Sequence, residues 1–353
     1  MTPVWSPDGR RLAFVGSTFS GIRRSTGLWT LEFATGRLER VTVVVPADST
    51  GLSWSPDGRF LAFARQGGFL QVVSAGRRDS ARTLDSWPPR RAAGSPNWLG
   101  RNRLMLSTGV TENDREIFVT DADGGSAMRA LTANRAADFQ PTGSPDGGSI
   151  AYVSAPQGGG KPAIYVMRSD GSGKRRLLGP DVPSQSSPAW SPDGAEIAFA
   201  ARGTIYLVDA AGGAPQPLVR GSEPAWAPDG RSLAFRGAFE GRYGIWLIGR
   251  DGTGVRRAPG YRLPSFSPNA AQLLFQRPVA RDANGVFVAD LATESERLLT
   301  RGRNPAWSPD GTRIAYDTRA AIWTIPSEGG ERTRVSTLKG TSEDPAWLPS
   351  AAP

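Results

Sequence analysis

Trp307-Ser308-Pro309-Asp310-Gly311 is one of four complete copies of a short phrase that recurs along the chain. The other complete copies occupy residues 5–9, 54–58 and 190–194. Incomplete copies stand at 143–147, 226–230 and 266–269, and the aromatic residue alone remains at Trp98 and Trp347. The nine anchors are 36 to 49 residues apart, close to the spacing of about 40–50 residues that is typical of propeller blades. This periodicity predicts a repeat architecture.

The last complete repeat shows what one unit contains. Residues 305–307 predict an apolar strand a, and Ser-Pro-Asp-Gly predicts a tight turn, because proline presets φ and glycine accepts a left-handed conformation. Strands b, c and d follow at 313–316, 321–325 and 333–336. Four short antiparallel strands linked by turns make a propeller blade. The sequence therefore predicts an all-β fold, a β-propeller of four-stranded antiparallel blades.

Eight complete sets of strands fit the chain, and eight blades are favoured over the alternative of seven. The repeats start near residues 3, 52, 96, 141, 188, 224, 264 and 305. The ninth anchor has no strands b to d after it, so residues 343–348 are expected to form an unpaired extra strand. Because stacked repeats pack against their neighbours in one continuous structure, residues 1–353 are expected to form a single domain.

Composition excludes several kinds of chemistry. The chain of 353 residues contains neither cysteine nor histidine, which removes disulfides, thiolate nucleophiles and imidazole bases. The net charge of +9 is not concentrated in a dense run of basic residues, which argues against a nucleic-acid partner. No stretch approaches the roughly 20 apolar residues of a membrane span. The N-terminus carries no signal peptide, so the chain as written is expected in the cytoplasm, or in the periplasm if a leader is missing.

The repeated phrase, followed by I/L-A-F and by I-Y/W-x-V/L-D, resembles the WD-like propeller repeat of the TolB family across the whole chain. This resemblance implies a bacterial cell-envelope scaffold that binds a protein or peptide. The resemblance concerns the propeller repeat, and a counterpart of the N-terminal domain that TolB proteins carry ahead of their propeller is not expected in this sequence. The resemblance is specific for the fold and weak for function, because one fold serves many activities.

A binding site is expected on one face of the blades. Strand a should line the central channel, so the residues just before it should ring the channel mouth, and the b–c loops should surround them. Irregular loops on a rigid scaffold are where binding usually resides. The candidate mouth residues are Asp138, Gln140, Ser187, Glu223, Asn304 and Asp344. The candidate basic rim, on predicted loops such as 16–27, 237–243 and 277–284, is Arg23, Arg24, Arg115, Lys161, Arg242 and Arg281.

The function that the sequence favours is therefore a non-enzymatic, monomeric scaffold for a protein or peptide partner, with no cofactor and no catalytic residues. One alternative is a sensor or accessory propeller that has been split from a larger kinase, regulator or peptidase. A second alternative is a lactonase- or lyase-like enzyme with calcium in the channel, because oxygen ligands alone can hold that ion.

Overall fold

The computed structural model describes residues 3–20, 23–42, 50–65, 69–75, 82–83, 97–109, 114–123, 128–158, 160–179, 182, 185–239, 241–258, 265–280, 283–318 and 321–337. These ranges contain β-strands joined by turns, without an α-helix. Among them there is accordingly no helix with the length and hydrophobicity needed to traverse a bilayer. The segment 343–348 lies outside the described residues.

The first four blades follow one another along the chain, each in the strand order a-b-c-d. Blade one is β1 (Val4–Trp5), β2 (Arg11–Ser20), β3 (Arg23–Glu32) and β4 (Leu38–Thr42). Blade two is β5 (Thr50–Trp54), β6 (Phe60–Arg65), β7 (Phe69–Ser74) and β8 (Arg82–Thr83). Blade three is β9 (Asn97–Leu99), β10 (Arg103–Thr108), β11 (Glu116–Asp121) and β12 (Arg129–Ala130). Blade four is β13 (Ala136–Gly143), β14 (Ser149–Pro156), β15 (Ala163–Arg168) and β16 (Arg175–Arg176).

Four more blades complete the set. Blade five is β17 (Gln185–Trp190), β18 (Glu196–Ala201), β19 (Thr204–Asp209) and β20 (Gln216–Arg220). Blade six is β21 (Ser222–Trp226), β22 (Ser232–Phe239), β23 (Arg242–Gly249) and β24 (Arg256–Arg257). Blade seven is β25 (Ser265–Phe266), β26 (Gln272–Ala280), β27 (Ala283–Asp290) and β28 (Glu296–Arg301). Blade eight is β29 (Arg303–Trp307), β30 (Arg313–Asp317), β31 (Ala321–Pro326) and β32 (Thr333–Thr337).

The prediction of a β-propeller with eight four-stranded antiparallel blades is thus confirmed. The blades fall into two compact units. Unit one comprises Met1–Gln66, Gln71–Thr83 and Gly260–Pro353, and it holds blades seven, eight, one and two. Unit two comprises Gly67–Leu70 and Leu84–Pro259, and it holds blades three to six. The single domain that the repeats suggest stays a prediction.

Hydrophobic side chains of successive blades pack together within each unit. In unit two, Ile164 of blade four joins Ile197 and Phe199 of blade five in one buried cluster. In unit one, Leu12 and Phe14 of blade one join Ile322 of blade eight. Side chains on a strand alternate between its two faces, so each buried strand b serves the clusters on both sides of its blade. This alternation explains the apolar I/L-A-F pattern of strand b.

Five of the anchor tryptophans also tie their blade to the preceding one. The Trp54 indole N–H donates to the Val4 carbonyl at 3.0 Å, and the Trp190 indole N–H donates to the Thr142 carbonyl at 3.2 Å. Three further anchors repeat the bond, namely Trp5 to Ala306, Trp226 to Ala189 and Trp307 to Ser265. The acceptor is always the residue just before the preceding anchor. Tryptophan is used here because it fills an apolar gap and also donates a hydrogen bond.

The Ser-Pro-Asp-Gly turn is held by its own side chains. In blade eight, the Ser308 hydroxyl donates to Asp310 Oδ1 at 2.6 Å and accepts from the Arg313 N–H at 2.9 Å. Hydrogen bonds from Ser308, and from the Thr312 N–H, hold the pKa of Asp310 below its usual range. Gly311 has a φ of 72°, which glycine adopts without steric cost. The motif that decided the fold is therefore a structural turn.

Replacing the buried Ser308 by alanine is expected to lower the free energy of unfolding by about 1–3 kcal/mol, because the half-buried Arg313 N–H would lose its acceptor. Chemical denaturation measures this change. Thr312→Ala is the matched control, since the Thr312 hydroxyl bonds the same Asp310 oxygen at 2.9 Å from an exposed position. A change below about 0.5 kcal/mol is expected there. Equal effects of the two substitutions would contradict this role for Ser308.

Three of the predicted b–c loops are in fact extensions of the strands. Residues 16–20 and 23–27 continue the ladder of β2 and β3 from Gly16–Gly27 out to Ser20–Arg23. Residues 237–239 and 242–243 belong to the β22–β23 ladder, and residues 277–280 and 283–284 belong to the β26–β27 ladder. The prediction of loops was wrong because backbone hydrogen bonds extend these hairpins beyond the apolar pattern of strands b and c.

Candidate functional site

Strand a carries a bulge that recurs in both units. In blade five the pairing of β17 with β18 shifts between Ser186 and Ala189, and similar shifts occur in β5, β13, β21 and β29. Four residues that precede a proline within these bulges have positive φ: Gln140 (52°), Ser187 (54°), Glu223 (52°) and Asn304 (49°). Residues other than glycine rarely adopt this left-handed region. A bulge redirects a side chain away from the regular ladder, so these four side chains occupy a distinct position.

All four residues were candidate mouth residues from the sequence. In unit two, Gln140 and Glu223 are exposed, and Ser187 is half-buried. The Ser187 N–H donates to Gln140 Oε1 of the preceding blade at 2.9 Å. Glu223 lies 3.3 Å from the Arg236 guanidinium of its own blade. Unit two therefore presents one polar bulge residue on each of three successive blades, which together we call the bulge surface.

Unit one places Asn304 in a denser polar network. The Asn304 N–H donates to Gln276 Oε1 at 2.9 Å, and its side-chain amide donates to Asp317 Oδ1 at 2.8 Å. Arg303 donates to Asp317 Oδ2 at 3.0 Å. Burial raises the pKa of Asp317, whereas the charge of Arg303 and the Asn304 amide oppose that shift. The network fixes the Asn304 side chain and leaves it half-buried.

The remaining mouth candidates lie elsewhere. Asp138 is fully buried, and its Oδ2 accepts from the Asn134 side-chain amide at 2.7 Å. It pairs with Ser154 in the regular part of the β13–β14 ladder, just before the bulge that carries Gln140. Asp344 lies outside the described residues.

The basic rim that the sequence suggested is only partly described. Lys161 and Arg242 are exposed, whereas Arg115 is half-buried. Arg23 and Arg24 begin β3, but their side chains fall outside the described part of the chain, as does Arg281. Arg242 starts β23 beside Tyr243, a large aromatic side chain that is 67% exposed.

Sequence reasoning missed the side chains that hold the bulge residues. Arg236, Gln276 and Asp317 occupy the fifth position of strand b in blades six, seven and eight, directly after three apolar or aromatic residues. The same position holds Val15, Val153 and Ala200 in blades one, four and five. The change from apolar to polar residues at one fixed position of the repeat was the signal that could have found them.

The ends of the blades that carry the a–b and c–d turns present few side chains suited to binding or catalysis. Between blades five and six, Arg250 donates to Asp193 and to Glu196, each at 2.8 Å. Ser327 stands directly after strand c of blade eight, where blade six has Arg250. Next to Ser327, between blades seven and eight, lies a cleft of about 370 Å³ that is also lined by Asn269, Gln272 and Asp310. Among the described residues, carboxylates do not gather in groups of three or more that could hold a metal ion.

Comparison with known proteins identifies the repeat. The family model for the TolB beta propeller domain matches residues 173–351. The Tol-Pal system protein TolB of Francisella tularensis subsp. mediasiatica (strain FSC147) is 26% identical over 155 residues, which cover 43% of this chain and 34% of that protein. The Protein TolB homolog of Chlorobium chlorochromatii (strain CaD3) is 32% identical over 101 residues, or 29% of this chain and 22% of that protein. The chain thus matches about a third or less of the length of these relatives.

Solved structures agree on the fold. An oligogalacturonate lyase in complex with manganese superimposes with a TM-score of 0.59 at 15% identity, covering 82% of this chain and 88% of that one. Porphyromonas gingivalis dipeptidyl peptidase 4 superimposes with a TM-score of 0.65 at 13% identity, covering 96% of this chain and 59% of that one. At such identities the likeness shows the propeller fold alone.

Proposed function

Because the chain belongs to the TolB beta propeller domain family, we propose that it is a non-enzymatic scaffold that binds a protein or peptide partner. The bulge surface of unit two is the proposed contact, and Asn304 occupies the equivalent position of its own blade in unit one. The observation that carries this proposal is a repeated backbone bulge that presents a different polar side chain in each blade. A constant backbone with variable side chains is the arrangement that adapts a rigid scaffold to a partner.

The side chains of the bulge surface are suited to an extended polypeptide. Gln140 offers both a donor and an acceptor, and Glu223 with Arg236 offers a carboxylate beside a guanidinium. Main-chain amides of a bound peptide need both donors and acceptors, so such a mixed surface can pair with them. Arg236 and Gln140 are already held by neighbouring groups, which lowers the entropy that binding would cost.

The names of the relatives favour a protein partner. The curated relatives are described as Tol-Pal system proteins, so proteins of this family belong to a multi-protein system. The alignment covers about a third of the length of these relatives. A protein partner for this chain is therefore proposed from its family and from the bulge surface together.

An enzymatic role has less support. Lyases and peptidases share the fold, but the chain has no histidine or cysteine for the usual acid–base or nucleophilic machinery. A sensor or accessory propeller that works beside a separate catalytic domain would also use a binding face, so the bulge surface serves that alternative equally.

The proposal predicts that Q140A/E223A will lose its partner and keep its fold. Affinity purification from the source bacterium, followed by quantitative mass spectrometry, compares this variant with wild type and with D170A/D251A. The control removes two exposed turn carboxylates from the same unit. Proteins that copurify with wild type and the control are expected to fall about tenfold with the bulge variant, as for loss of roughly 1.4 kcal/mol of binding. The same proteins at the same yield from all three would refute this use of the bulge surface.

A further inference from the structure

Two carboxylates meet at the junction of blades three and four, where three other described junctions have uncharged residues. Asp138 in β13 donates its N–H to the Arg115 carbonyl at 2.7 Å, and Glu116 begins β11 directly after that carbonyl. The same backbone bond identifies the matching positions in other blades. They are Gln185 with Ala163, Gly221 with Thr204, and Gly302 with Gly285. The propeller fold therefore requires no acidic pair at this position, and among these four compared junctions Glu116 with Asp138 is particular to that of blades three and four.

Asn134 ties the two carboxyl groups together. Its N–H donates to Glu116 Oε1 at 2.8 Å, and its side-chain amide donates to Asp138 Oδ2 at 2.7 Å. Glu116 also bonds the Thr132 hydroxyl. The second oxygens, Glu116 Oε2 and Asp138 Oδ1, are both buried and have no hydrogen-bond partner among the described residues. Unpaired buried oxygens of this kind are costly, so the arrangement needs a further positive or donor group.

The described surroundings supply no donor to those two oxygens. The side chains around the pair are Thr132 and Asn134 from the connection between the blades, Tyr152 of β14 and Tyr165 of β15. Charged neighbours along the chain are Asp114 and Arg115 before Glu116, and Arg135 before Asp138. Burial raises the pKa of Glu116, and the charge of Asp138 adds to that shift. Burial likewise raises the pKa of Tyr152, again with a contribution from Asp138, so its hydroxyl stays neutral.

We propose that Glu116 and Asp138 share one proton, and that losing it at higher pH loosens strand a of blade four and so weakens the bulge surface at Gln140. Two like charges in one site favour retention of one proton between them. A calcium ion would take six to eight oxygen ligands, whereas this site offers two free carboxylate oxygens. Gln140 lies two residues beyond Asp138 and holds the Ser187 N–H of the next blade. Only the effect on the bulge surface rests on the proposed binding function.

The direction of the pH effect follows from the raised pKa. The ordinary value for the Glu116 carboxyl is 4.5, and the folded protein holds the proton more tightly than the unfolded chain does. The shared proton therefore contributes its full stability at and below about pH 4.5. That contribution is lost as the pH rises through the higher pKa of the folded state.

Glu116→Gln tests the proposal, because glutamine keeps the shape and supplies a permanent donor. Between pH 5 and 8 the melting temperature of wild type is expected to fall relative to E116Q by several degrees, on the order of 3 °C. Carbon-13 NMR of the wild-type carboxyl groups should show Glu116 titrating above pH 4.5. D146N is the matched control, since Asp146 is an exposed turn carboxylate of blade four whose hydrogen bonds with Ser144 and the Gly148 N–H lower its pKa. The melting temperature of D146N should change with pH in the same way as that of wild type between pH 5 and 8.

Other outcomes would overturn the proposal. If E116Q and wild type keep the same difference in melting temperature from pH 5 to 8, no proton is shared. If calcium chloride raises the melting temperature of wild type and not of E116Q, the pair holds a cation instead. Asp138→Asn provides the second variant should E116Q fail to fold, with the same expectations. None of these readouts involves a partner, so they can fail independently of the proposed binding function.

Discussion

Replacing Trp54 by alanine is expected to lower the free energy of unfolding by about 3–5 kcal/mol, the usual cost of removing a large buried aromatic side chain. Trp54 is 7% exposed and packs with Leu61 and Phe63 of its own blade and Ala13 of blade one. The substitution also leaves the Val4 carbonyl without the indole N–H. Urea denaturation followed by circular dichroism measures the change.

Two further substitutions separate the contributions of Trp54. Trp54→Phe keeps an aromatic ring but removes the donor, so a smaller loss of about 1–3 kcal/mol is expected. Tyr243→Ala removes an aromatic side chain that is 67% exposed, and its effect should stay within about 0.5 kcal/mol. If Trp54→Ala cost no more than Tyr243→Ala, the anchor tryptophans would not join the blades as described.

Replacing Gly147 by alanine is expected to destabilise the fold by about 2–4 kcal/mol. Gly147 has a φ of 71°, and an added Cβ would lie 2.9 Å from Gly100 Cα and 3.0 Å from Gly100 N of the preceding blade. A left-handed alanine costs roughly 1–2 kcal/mol, and forcing the two backbones apart adds about 1–3 kcal/mol. Thermal and chemical unfolding give the value.

Gly230→Ala is the matched control for Gly147→Ala. Gly230 has nearly the same φ, 69°, but the nearest atom to an added Cβ would be Pro192 Cδ, at 3.6 Å. Its cost should therefore be limited to the backbone term of about 1–2 kcal/mol. The difference arises because the turn of blade three lacks the proline that spaces the other turns, so that Gly100 approaches Gly147. Equal losses for the two substitutions would contradict this close contact.

The fold could be predicted because the sequence repeat that indicates a propeller blade recurs along the whole chain. Most copies join a turn that closes a hairpin to an aromatic residue that packs against a neighbouring blade, and the incomplete copies keep the same spacing. The blade number followed from the positions of Trp5 to Trp307, and strands b and c followed from short β-branched and aromatic runs. The repeat could not set the length of the b–c hairpins, because residues 16–20 and 23–27 extend the ladder of blade one without the apolar alternation of its base.

The candidate site was predictable in part. Gln140, Ser187, Glu223 and Asn304 stand directly before a proline in strand a, and the structure shows all four in the same unusual conformation. Asp138 was assigned to the same ring as a residue just before strand a, but its side chain is fully buried and accepts a hydrogen bond from Asn134. The contact of Glu116 with Asn134 could not be foreseen, since Asn134 lies in the connection between blades three and four, 18 residues beyond Glu116.

Site-specific photo-cross-linking tests the central claim most directly. Benzoylphenylalanine is placed singly at positions 140, 187 and 223 of the bulge surface, and at positions 170, 209 and 251 of the turns between strands c and d. After irradiation in the source bacterium, the bulge positions are expected to give discrete cross-linked products with another protein, whereas the turn positions give none. Cross-links from the turn positions alone would show that the binding face lies on the side of the turns, and would contradict the proposed role of the bulge surface.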